Sequence, residues 1–218
     1  MFKVTTLQLV KECVPELVER CGAQGLFPFN QIMLGEMTLR GAAIGEGDAL
    51  GLSIRLAREL AVGRFSFPEP GSPNDALSLH ELGLLSEIKS SISKASTDQV
   101  NNLILPRARA LVEAVGARIA SEAASSDPKI DSALLKLFKN SCIQRDLAWY
   151  VENGVVSRKQ VFDQEAILLD ELLPKLDTLL AATGVEPYIH AKICKEDTWR
   201  SFVGGLPIVG ERPRESKL

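Results

Sequence analysis

With 218 residues, 45% of them apolar, the chain can bury a sizeable core as one large domain or two small ones, which excludes wholesale disorder. Its 25 basic and 28 acidic residues leave a net charge of -3 with no basic block, which argues against a nucleic-acid groove. Cys13, Cys21, Cys142 and Cys194 form no CxxC pair, and His80 and His190 are the only histidines, so no metal cluster or histidine triad has material; the cysteines read as buried free thiols in a reducing setting.

The amino end, with Lys3, Lys11 and Glu12, lacks a secretory signal, and no uncharged apolar run approaches membrane-spanning length. The expectation is a soluble protein. Leu7, Val10, Val14 and Leu17 predict a helix over 4–20, which Pro15 either kinks or starts. After a turn from Gly22 to Pro28, a helix is predicted from about Met33 to Ala43. Gly45 and Gly47 interrupt it, and Leu50, Ile54, Leu56, Leu60 and Ala61 mark the next, to about residue 62.

Residues 63–75 hold three prolines and two glycines without a period and read as a linker or long loop. Ser78 and Glu81 have the spacing of a capping box, so a helix is expected over 79–94. Ser96 and Gln99 repeat the signal before a run to about Ala124, bent early by Pro106. Asp127-Pro128 opens a helix from 128 to about 152 with Leu134, Leu135, Phe138 and Ile143 on one face, closed by Asn153-Gly154. Ser157 and Gln160 start the next, where Val161, Ile167, Leu168, Leu172, Leu176 and Leu179 keep the period, and a last helix is expected over about 186–196. No strand alternation appears. The predicted fold is all-α, helical hairpins packed as bundles, divided as 1–63, a linker 64–77, a second helical domain 78–210 and a tail 211–218.

Two stretches could carry chemistry. In "ERCGAQGLFPFNQI", residues 19–32, Gly22 and Gly25 let backbone come close to a ligand and Gln24 offers donors and acceptors; alternatively Gly22 simply caps a helix. In "GEGDAL", residues 45–50, Glu46 is either a polar loop tip or a base held against a substrate. The closing Ser216-Lys217-Leu218 has the form of a peroxisomal address read by an import receptor. Of the remaining polar and aromatic groups, His80 and His190 read as exposed or structural, and Trp149-Tyr150 as core or interface. Arg145-Asp146 reads as an ion pair or a solvated face, and Cys21 as a packing residue.

The order "CGAQGLFPFNQI" then "GEGDAL", followed by "QRDLAWYVENGVVSRKQ" (144–160) and the terminal SKL, resembles the carboxyl-terminal portion of peroxisomal acyl-CoA oxidases, within the acyl-CoA dehydrogenase/oxidase superfamily. The resemblance implies that Glu46 is the base that takes the α-proton of a fatty acyl-CoA thioester. It also implies that Gly22, Gln24 and Gly25 meet FAD, typically across a dimer interface, with Asp48 near the cofactor. The products would be trans-2-enoyl-CoA and, from O2, hydrogen peroxide. Ala23, Leu26 and Ala49 depart from the family's usual glycine, aromatic and asparagine.

The family's amino-terminal helical and central β-domains are not in this sequence. The expectation is therefore an enzyme part, inactive alone, that works as a homodimer or with the missing domains. The alternative is a non-catalytic peroxisomal helical protein for dimerisation or scaffolding, in which Glu46 is a solvated loop residue.

Overall fold

A computed structural model describes residues 1–45 and 47–210, with Thr97 and Asp98 in backbone alone. Twelve α-helices and no strand occur among the described residues. None is long and apolar enough to cross a membrane, and no group of three metal-ligating side chains gathers there.

The first helix, α1 (Phe2–Arg20), runs unbroken through Pro15 and buries Val4, Thr5 and Val18, while the expected Leu17 is exposed. A short α2 (Ala23–Leu26) and a 3-10 turn (Pro28–Asn30) lead into α3 (Ile32–Ile44), which packs along α1. The fourth helix, α4 (Ala49–Ala61), starts at Asp48, whose carboxylate accepts from Gly51 N–H at 2.8 Å. That bond satisfies one of the donors a helix start leaves open.

Beyond the proline-rich segment come α5 (Ala76–Ser93), α6 (Thr97–Ile104) and α7 (Ala108–Ser125). The start of α5 is Asp75, not Ser78: Asp75 accepts from Leu77 N–H at 3.1 Å, and Ser78 and Glu81 lie buried inside the helix. Pro106 does more than bend the following run; it separates α6 from α7. Ala57 and Leu60 of α4, Ile88 of α5 and Leu111 and Val115 of α7 share one core, so helices before and after 64–77 pack together.

The expected helix over 128–152 is two, α8 (Ser132–Arg145) and α9 (Leu147–Glu152). Its cap is Asp131, which accepts from Ala133 N–H at 2.7 Å, and its buried face carries Ala133, Asn140, Cys142 and Ile143 while Leu134 is exposed. Next, α10 (Arg158–Leu172) has the expected capping box: Ser157 N–H donates to Gln160 Oε1 at 2.9 Å and Gln160 N–H to Ser157 Oγ at 3.2 Å. A proline turn then precedes α11 (Leu176–Ala182). The last helix expected over 186–196 is instead two 3-10 turns, and α12 (Glu196–Gly204) follows.

Helix packing depends on two glycines. A Cβ on Gly116 of α7 would lie 2.0 Å from Thr5 Oγ1 of α1, and one on Gly83 of α5 would lie 2.2 Å from the Trp149 ring. Arg118 of α7 is buried and binds Glu81 through Nε (2.6 Å) and Nη2 (3.1 Å), Glu122 at 2.9 Å and the Pro68 carbonyl at 3.1 Å. That guanidinium ties α5, α7 and the proline-rich segment together.

The thiols are not uniformly buried. Cys142 is, and burial pushes its pKa up to about 11, whereas Cys13 and Cys194 are exposed and Cys21 is half-buried.

Candidate functional site: the 45–48 turn and its cavity

Lys3, at the start of α1, reaches the end of α3, so the two helices run antiparallel. The turn after α3 opens at Gly45, whose N–H donates to Gly41 O at 2.9 Å, and passes through Gly47 at φ +105°, which only glycine adopts readily. Asp48 then caps α4. The Lys3 ammonium donates to the carbonyls of both Gly45 and Gly47, the latter at 2.8 Å.

A cavity of about 350 Å³ adjoins this turn. Val4, Leu7, Ala43, Ile44 and Leu50 supply apolar wall, and Lys11, Arg40 and Arg109 bring positive charge from three helices. Glu36 bonds Arg40 at 2.6 Å and Glu113 bonds Arg109 at 2.6 Å, which holds both guanidiniums in place. Such a space takes a ligand with an apolar body and an anionic or polar end. Glu46 itself, and Ser216, Lys217 and Leu218, lie outside the described residues.

The glycine turn sits at the other end of α3. Thirteen residues at the helical rise put about 20 Å between it and the 45–48 turn, so one chain does not bring the two motifs together. Gly22 is exposed at φ +58° with open space where a Cβ would be. Gly25 is buried, and a Cβ there would lie 2.3 Å from Val18 O; its glycine serves the contact with α1. Gln24 is half-buried, and its backbone carbonyl accepts from Asn30 Nδ2 at 2.8 Å. Asn30 Oδ1 in turn accepts from Ile193 N–H at 3.2 Å. Phe29 packs on Phe202 and Trp199 of α12, at 4.4 and 6.1 Å between ring centres, so the last helix among the described residues packs against this turn.

A second polar cluster, His80 and Asp146, lines a cavity of about 290 Å³ together with Cys142 and Tyr150. His80 is buried between Trp149 (4.9 Å) and Tyr150 (4.7 Å), with Nε2 2.9 Å from Asp146. Burial lowers its pKa against the opposing pull of Asp146. Asp146, which the ring meets, is also the residue between the end of α8 and the start of α9. Arg145 does not pair with Asp146 as its neighbour in sequence; it bonds Glu12 of α1.

Sequence reasoning missed Lys3 and the cationic wall. Lys3 lies 42 residues from Gly45, and nothing in the first turn of α1 marks it as a partner of that turn.

The fold is an all-α assembly of the kind that makes up the helical domains of acyl-CoA oxidases. No protein-family profile and no curated protein matches the chain. Two solved structures match in fold. The crystal structure of acyl-CoA oxidase 3 from Yarrowia lipolytica superposes with a TM-score of 0.79 at 15% identity over 98% of this chain. Acyl-CoA oxidase 1 of Arabidopsis thaliana superposes at 0.72, with 16% identity over 93%. The chain spans 38% of the length of each. The resemblance read from the residues is thus met by the fold, at an identity that speaks for the fold alone.

Proposed function

We propose that the chain is the carboxyl-terminal helical portion of an FAD-dependent acyl-CoA oxidase, with Glu46 as the base. The observation that carries this reading is the superposition of 98% of the chain on one such oxidase. The turn that holds Gly45, Gly47 and Asp48 adjoins a cavity of about 350 Å³, and the sequence puts Glu46 between those two glycines.

In this reading the acyl chain of a fatty acyl-CoA lies against the apolar wall, and the Glu46 carboxylate takes the proton from the carbon α to the thioester carbonyl. A carboxylate withdrawn from water is a stronger base, which suits it to so weak an acid. The Glu46 backbone N–H polarises the thioester carbonyl as negative charge develops. The flanking glycines bring that turn to the substrate without side chains in the way. Gly22 and Gln24 fit one edge of FAD: the glycine leaves backbone open and the amide offers donors and acceptors. Gly25 would meet the cofactor through its backbone, and Asp48 from the far end of α3. Held there, FAD would supply the two-electron oxidant for the β-carbon's hydride, so that the products would be trans-2-enoyl-CoA and, once two electrons and two protons had passed on to O2, hydrogen peroxide.

Because the two motifs lie at opposite ends of α3, a second copy of the chain is expected to present its glycine turn to this copy's cofactor, as a homodimer. The amino-terminal domains absent from this sequence complete the site, and the protein is addressed to the peroxisome through Ser216, Lys217 and Leu218. The test is co-expression with a candidate amino-terminal half, followed by assay for bound flavin and for acyl-CoA-dependent peroxide.

A non-catalytic role in dimerisation or scaffolding is favoured by one observation, the exposed Leu34, Met37 and Ile44 along α3. These side chains leave apolar surface uncovered in a single copy of the chain, as a protein contact would. Flavin retention separates the readings, since a scaffold retains none.

A further inference from the structure

Among the described residues, seven arginines meet carboxylates, Arg107 donates to Leu103 O and Arg158 lies over the Phe162 ring. Arg55 and Arg58 of α4 are exposed and meet no carboxylate there, and both line one cavity of about 420 Å³. They stand three residues apart, so their side chains leave the helix on one face, where like charges repel. The Asn101 amide of α6 lines the same space, and Arg64, just beyond α4, adds a third guanidinium, which Glu59 meets at 3.8 Å. Three guanidiniums against one carboxylate leave this lining two positive charges in excess, in a chain whose net charge is -3. The positive charge is therefore gathered locally, and Ile54, Ile104 and Leu105 leave apolar wall beside it.

We propose that this cavity binds the diphosphate group of an organic ligand through Arg55 and Arg58. A guanidinium is a planar fork that meets phosphoryl oxygens in pairs, and two such forks one helical turn apart suit two linked phosphoryl groups. The Asn101 amide offers further donors, and the apolar wall leaves room for the organic body. The cavity shares no lining residue with the one beside the 45–48 turn, so the inference does not depend on the oxidase reading. Free nucleotides and larger diphosphate cofactors share this chemistry, and the probes below separate them.

The purified chain is titrated by calorimetry at low salt, where exposed charges are least screened, with ADP, adenosine, coenzyme A and FAD. ADP is expected to bind, and adenosine to bind about tenfold or more weaker. Tightest binding by ADP assigns the site to a free nucleotide; tightest binding by coenzyme A or FAD assigns it to the diphosphate arm of that cofactor. Arg55→Gln and Arg58→Gln are each expected to weaken the tightest probe about tenfold, and the double variant by more. Arg55→Lys keeps the charge without the fork and should lose less than Arg55→Gln. Arg20→Gln removes an equal charge from an exposed position on α1, outside the cavity, and should leave binding within about twofold. Both cavity arginines are exposed, so the urea midpoint should hold in every variant. The proposal is overturned if none of the three diphosphates binds, or if adenosine binds as tightly as ADP. Binding that survives the double variant, or that falls equally in Arg20→Gln, would also overturn it.

Discussion

Replacing Arg118 by Met removes the one guanidinium that joins α5, α7 and the proline-rich segment. The Glu81 carboxylate, whose side chain is 8% exposed, then loses both of its charge-assisted bonds and stays buried without a counter-charge. Breaking a buried pair from one side costs about 3–5 kcal/mol. Glu122 adds little, because its side chain is 34% exposed and water can replace the contact. Arg118→Met is therefore expected to lose about 3–5 kcal/mol in urea unfolding. The Pro68 carbonyl is released with it, so proteolysis within 64–75 should quicken. The double variant Arg118→Met, Glu81→Leu removes both charges and fills the space with apolar atoms, and it is expected to lie within about 2 kcal/mol of the parent. A single variant within about 1 kcal/mol of the parent would refute the reasoning. So would a double variant as unstable as the single.

Gly116→Ala places a Cβ against Thr5, and forcing α1 away from α7 is expected to cost about 1–3 kcal/mol; an unchanged urea midpoint would contradict that packing. His80 supplies a pH dependence. Its pKa in the folded chain lies below the ordinary 6.5, so below that pH the unfolded chain takes up a proton that the folded chain refuses. Stability should therefore fall as pH drops from about 6.5 toward the folded value, more steeply in the parent than in His80→Gln. Urea midpoints at pH 7 and 5.5 measure the difference, and parallel curves would refute it.

Much of the fold was legible where local chemistry decides. The helix predicted from Met33 to Ala43 is Ile32–Ile44, because glycine punctuation marks its end, and the Ser157 and Gln160 capping box forms as read. Pro106 broke a helix that was expected only to bend, and three other misses go with a partner distant in sequence. Ser78 and Glu81 have capping-box spacing, yet Glu81 is held by Arg118, 37 residues on, and Asp75 caps instead. The break between α8 and α9 falls at Asp146, the partner of His80, 66 residues earlier. The end of the chain was misplaced because Trp199 and Phe202 pack on Phe29, a contact no local period reports. At the site, the residue types of the two stretches could be read, but not their placement at opposite ends of α3, nor the contact of Lys3 with the second.

The central claim is that Glu46 is the base of an acyl-CoA oxidase, and Glu46→Gln tests it most directly. In the parent chain assembled with its amino-terminal domains, the account predicts bound flavin and acyl-CoA-dependent peroxide. Glu46→Gln should keep the flavin and lose the peroxide rate by about 100- to 10,000-fold, the usual contribution of a positioned base. An assembled enzyme whose peroxide release survived that substitution would contradict the account.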